Sequence, residues 1–156
     1  MMARMSGGWW IVVVGGLVIA WALALDVRLD TDRRLAGWWV HWAIRRGGWA
    51  GPLSFLLSLA CLLVYSVLAM VGDALGDSLD EPLWALAISL PAMLAYVPFN
   101  FATMPTQYGG YRSWRNDLAD AGANTRLQRA IAWSAGPVSL FGMIAMIATL
   151  FTIFLP

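Results

Sequence analysis

Few side chains in this 156-residue chain are of a type that does chemistry, and their positions narrow what that chemistry is. Asp73, Asp77, Asp80 and Glu81 place four carboxylates within nine residues. Such a cluster either is a solvated acidic turn or forms an outer acidic mouth that concentrates cations near a pathway. His41 is the single histidine and Cys61 the single cysteine. One cysteine forms no internal disulfide or thiolate metal cluster, and one histidine cannot supply both axial ligands of a haem. No cofactor and no metal are therefore expected, and no catalytic residue stands out. A nucleophile beside a base, a glycine-rich phosphate loop and an Asp, Glu, Lys or His within an apolar run are all missing, so the chain reads as a non-enzyme.

The remaining candidates lie between Leu83 and Pro105, where Pro91, Pro98 and Pro105 recur every seventh residue. Seven residues are about two helical turns, so the three rings share one face. Each ring removes an N–H and frees the carbonyl four residues back, which exposes the oxygens of Ala87, Leu94 and Phe101. Tyr96 and Asn100 add polar side chains to the same segment. A helix of this kind is tolerated in lipid when it is buried among other helices or lines a hydrated cavity. Pro91, Tyr96, Pro98, Asn100 and Pro105 are accordingly the candidate pathway or packing face.

Composition says what must position these residues. The chain is 60% apolar and 12% charged with mean hydropathy +0.68, whereas about a quarter of residues are charged in a soluble domain. It reads as an all-α integral membrane protein, a single four-helix transmembrane domain over 1–156. The expected spans are about 8–26, 50–71, 83–105 and 130–155. Ala22-Leu23-Ala24 resembles a signal-peptidase site, but charge favours an uncleaved first helix. The loops 26–49 and 106–129 hold nine of the ten arginines. The positive-inside rule then puts both loops in the cytoplasm and both termini outside, in the plasma (inner) membrane.

Between the first two spans, Leu35, Trp38, Trp39 and Trp42 recur at helical spacing among Arg33, Arg34, His41 and Arg45. This predicts an amphipathic helix over about 31–46, capped by Asp30 or Thr31 and lying in the interface. Trp38, Trp39 and Trp42 would be its interfacial anchor. In the second arginine loop, Gly109-Gly110 breaks the chain, and Tyr108, Tyr111 and Trp114 then suit a short run along the headgroups. Asn124 or Thr125 can cap the last helix. Ala-Gly-Pro-x-Ser occurs at 50–54 and again, 85 residues on, at 135–139. The repeat suggests two related hairpins in parallel orientation; a first-turn proline favoured whatever the ancestry is the competing reading.

Asp73 and Asp77 faintly resemble the paired aspartates of lipid-headgroup transferases. The further aspartates and the glycine–arginine element of such a site are missing, which removes the implied chemistry. Two functions remain. The first is an oligomeric pore-forming or membrane-perturbing protein, in which several copies surround the path because four helices enclose little space. Four-span holins and phage-exclusion channels are similar in architecture. The second is an accessory or assembly subunit packed against a larger membrane complex, suggested by small-residue helix faces and the lack of chemistry. The expected partners are the lipid bilayer and either a homo-oligomer or another membrane protein. A net charge of +1 argues against nucleic acid.

Overall fold

The computed structural model describes the backbone of residues 2–79, 82–104 and 110–155, with side chains from 8–79, 83–104 and 114–155. The described chain is helical, and four stretches are long and apolar enough to cross a membrane: Gly8–Leu29, Gly47–Leu79, Leu83–Thr103 and Thr125–Phe154. The protein is an all-α, multi-pass membrane protein. In hydrocarbon a backbone must satisfy its own polar groups, so even glycine- and valine-rich runs become helix.

The first helix, α1, spans Met2–Leu29, three residues beyond the predicted end at 26. Asp30 breaks it in the left-handed region at φ 48, ψ 48, a conformation that Asp tolerates better than most residues. α2 follows over Thr31–Ile44. Asp30 stands at its N-cap position, but its side chain makes no capping bond. Instead Asp26 Oδ1 accepts from the Asp32 N–H at 3.2 Å, so the last turn of α1 caps α2.

A short 3₁₀ turn, Gly47–Trp49, leads into α3, Ala50–Leu79. Pro52 lies in its first turn, where a missing N–H costs no bond. At 1.5 Å per residue, the 30 residues of α3 reach about 45 Å, well beyond a hydrocarbon core of about 30 Å. The span predicted to end at 71 therefore continues through Gly72–Leu79, correcting the acidic loop expected from Gly72. Gly72 and Gly76 are buried. A Cβ on Gly72 would come within 2.8 Å of Ser89 Oγ and 3.1 Å of the Ala85 carbonyl. This close packing against α4 carries the helix past the end of its apolar run.

α4 runs from Pro82 to Thr103 with Pro91 and Pro98 inside it. α5, Gly110–Asp120, occupies what the sequence suggested as a headgroup loop. It ends in a Schellman motif: Gly122 has φ 94, Ala123 N–H donates to Leu118 O, and Gly122 N–H donates to Ala119 O, both at 2.9 Å. α6 spans Thr125–Phe154, and Asn124 caps it through Oδ1, which accepts from Leu127 N–H at 2.9 Å. It starts before the expected 130 because its polar first turns project beyond the apolar run. The two Ala-Gly-Pro-x-Ser copies thus occupy different places. Pro52 opens α3, whereas Pro137 lies inside α6.

α3, α4 and α6 pack together, and α1 leans on α4 and α6. α2 and α5 pack on each other at the end of the bundle where α1 finishes. Trp39 meets Trp114 edge-on at 5.7 Å, and Arg33 Nη2 lies 3.5 Å from Asp120 Oδ2. Both arginine-bearing segments consequently share one end of the molecule.

Candidate functional site

Among the larger apolar side chains in the interior of the spans, such as Met93, Ile131, Met146 and Leu150, small and polar residues let the helices approach. On α4, Ser89, Met93, Tyr96, Val97 and Asn100 are buried and repeat at intervals of three and four, so they share one helix face. That face meets α6 at Gly142. A Cβ there would stand 2.5 Å from Asn100 Oδ1 and collide with Tyr96 Oη. Glycine at this position admits two polar groups against a helix backbone.

Their hydrogen bonding is incomplete. Asn100 is fully buried and Tyr96 6% exposed. Tyr96 Oη, both polar atoms of the Asn100 amide and Ser89 Oγ have no hydrogen-bond partner among the described residues. A buried amide or hydroxyl without a partner costs about 1–3 kcal/mol. Beside them, Tyr65 stacks on Tyr96 at 5.1 Å. Its Oη donates to Thr149 Oγ1 at 2.9 Å, and Thr149 donates in turn to Ala145 O at 2.9 Å. The hydroxyls of Tyr65 and Thr149 are thus satisfied while Ser89, Tyr96 and Asn100 of α4 are not, and Thr103 on the same helix turns its hydroxyl back to Phe99 O at 3.0 Å.

The prolines face elsewhere. Pro98 follows Tyr96 by two residues, a rotation of about 200°. Pro91 is exposed and Pro98 half-buried, both turned away from the Tyr96–Asn100 face. The candidate face therefore divides into two, and Pro105 lies outside the described residues. One carbonyl that the prolines free does find a donor: Trp21 Nε1–H of α1 reaches Leu94 O at 3.3 Å. Phe101 O accepts from Met104 N–H at 3.3 Å in the turn that ends α4. The proline face thus receives α1, while the opposite face holds the polar interior.

Asp73 and Asp77 stand exposed on the final turns of α3, four residues apart on one side of the helix. Asp80 and Glu81 lie outside the described residues. No group of three potential metal ligands occurs among the described residues.

The proposed tryptophan anchor also divides. Trp38 is 53% exposed and stacks on half-buried Trp42 at 6.4 Å. Trp39 is completely buried, which corrects its role from anchor to core. Its Nε1–H donates to Ser54 Oγ at 2.8 Å, and Ser54 donates to Ala50 O at 2.7 Å. Phe99 stacks on its ring at 5.5 Å. Trp39 thereby joins α2 to α3, α4 and α5.

Gly142, Gly72, Ser89 and the Tyr65–Thr149 pair escaped the sequence reading. The small residues at 72, 76, 85 and 89 were a detectable signal for close helix packing. Nothing local in the chain, however, pairs Gly142 with Asn100. The chain matches no protein family, no curated relative and no solved structure.

Proposed function

We propose that this protein is a non-catalytic accessory subunit that docks laterally, through α1, against a membrane-spanning helix of a larger complex. The carrying observation is an open stripe of small residues. Gly16, Ala20 and Ala24 are exposed at four-residue spacing, and a Cβ on Gly16 would meet nothing within 4 Å. Val18 and Ala22, on the inward face of the same helix, are buried. Small residues at this spacing let two helix backbones approach closely, the device membrane proteins use in place of a hydrophobic driving force.

The polar inventory supports the same reading. Ser54, Ser58, Asn100, Thr103 and Ser139 are buried within the bundle, whereas the exposed charged residues of the spans, Arg28, Asp73, Asp77, Arg126 and Arg129, lie towards the helix ends. A pore shared among copies needs a polar outward stripe, and the interior polar groups are packed against backbone. The second reading, an oligomeric pore in the plasma membrane, draws on the unpartnered Tyr96 and Asn100. In both readings the arginine end is cytoplasmic and the termini face outside, following the positive-inside bias.

Affinity purification from mild detergent tests the assignment. The wild-type chain is expected to retain a stoichiometric membrane-protein partner and Gly16→Ile to lose it without losing its own fold. Ion conductance from the purified chain in liposomes, abolished by Asn100→Leu, would support the pore instead.

A further inference from the structure

At the corner where Asp30 turns α1 into α2, a cleft of about 370 Å³ opens against α4. Its wall is apolar, formed by Leu35, Pro98 and Phe99, and its rim carries Thr31, Asp32 and Arg34. Pro98 lies five residues from the end of α4 at Thr103, about 7 Å along the axis. The cleft thus sits where the bilayer changes from acyl chain to headgroup. Apolar below and charged above, it has the polarity of an amphiphile.

The charges on its rim are unevenly met. Thr31 Oγ1 is buried with no hydrogen-bond partner among the described residues. Asp32 is half-buried, and its carboxyl is pushed up to about 6, first by burial and then by the negative charges of Asp26 on α1 and Asp117 on α5. A cation at this carboxylate would relieve both effects. Arg34 stands exposed on the same rim and supplies a positive charge. The cleft therefore presents an acceptor for a cation beside a donor for an anion, above an apolar wall.

We propose that this cleft binds a zwitterionic phospholipid of the phosphatidylethanolamine type. The ammonium faces Asp32, the phosphate meets Arg34 and Thr31 Oγ1, and the acyl chains leave past Pro98 and Phe99. A lipid with an uncharged glycerol headgroup offers no cation and brings its phosphate towards three carboxylates. A soluble phospho-amine lacks the chains that the apolar wall accommodates.

Native mass spectrometry of the delipidated full-length chain tests this with medium-chain phosphatidylethanolamine, medium-chain phosphatidylglycerol and free phosphoethanolamine. The ethanolamine lipid should bind about tenfold more tightly than the glycerol lipid, the scale of one charge-assisted contact. Asp32→Asn should erase that preference while leaving glycerol-lipid binding intact, and Arg34→Gln should weaken both lipids. Asn at 32 removes a destabilised charge, so a folding failure does not stand behind the first result. Equal affinity of the wild type for the two lipids, an undiminished preference in Asp32→Asn, or unchanged binding in Arg34→Gln each overturns the proposal. Free phosphoethanolamine binding as tightly as the lipid also overturns it and identifies a soluble ligand.

Discussion

Gly142 and Gly16 are both glycines within membrane-length helices, yet they serve opposite surfaces. A side chain at 142 would collide with Tyr96 and Asn100, whereas one at 16 meets open space. The first permits the bundle to close on itself. The second leaves α1 a face that no described residue covers. Substitutions at the two should consequently separate folding from association, because packing inside is already saturated while contact outside is still to be made.

The largest expected effect is at the inner glycine. Gly142→Val forces α6 away from α4 and should destabilise the detergent-solubilised protein by about 3 kcal/mol or more, the upper range of overpacking. Gly16→Val in parallel should change stability by less than about 0.5 kcal/mol, as for an uncovered surface position. Equal thermal shifts in the two variants would erase the distinction between closed and open faces.

Trp39→Phe comes next. It removes the donor to Ser54 Oγ and part of a fully buried ring, with an expected loss of about 2 kcal/mol. A similar loss in Trp38→Phe would return both residues to a common interfacial role. A smaller effect of opposite sign is expected at Asn100. Leucine there keeps the branched outline, though at a larger volume, and removes an unpartnered amide, so thermal stability should rise by up to about 1 kcal/mol. A fall would mean that the amide has a partner in the membrane and would favour the pore reading.

The smallest effect concerns pH at the arginine end. Asp32 has its carboxyl raised to about 6 from an ordinary 3.8, so the folded state holds its proton more tightly than the unfolded state. That contribution is fully present below about 3.8 and is lost as pH rises through about 6. Around the carboxyl stand Asp26 from α1, Asp117 from α5 and Arg34 on its own helix. The melting midpoint should rise modestly between pH 7.5 and pH 5, and Asp32→Asn should flatten that rise. A midpoint that falls over the interval would contradict the assigned crowding of carboxylates.

Four spans were legible because runs of about twenty apolar residues have few alternatives. Their ends were not, since hydropathy senses the surroundings and not the helix: α3 continues through Asp73 and Asp77 on the strength of Gly72 packing against Ser89 and Ala85. The proline rule located the Leu94 carbonyl as a group needing a donor, but Trp21 lies 73 residues away and could not be named from local pattern. Two residues of separation between Tyr96 and Pro98 suffice to put them on different faces, so the division of α4 was present in the spacing. The α2 pattern offered three tryptophans to one interface. Which one turns inward depends on Ser54, Phe99 and Trp114, each from another helix.

The outer face of α1 is proposed as a docking surface for a different membrane protein. Site-specific cross-linking tests it most directly, with a cysteine introduced at Ala20 in a Cys61→Ala background, in native membranes. The prediction is one discrete adduct to a distinct membrane protein, lost in Gly16→Ile while the chain's own thermal midpoint stays unchanged. Adducts only between copies of this chain, or a hetero-adduct undiminished by Gly16→Ile, would contradict it.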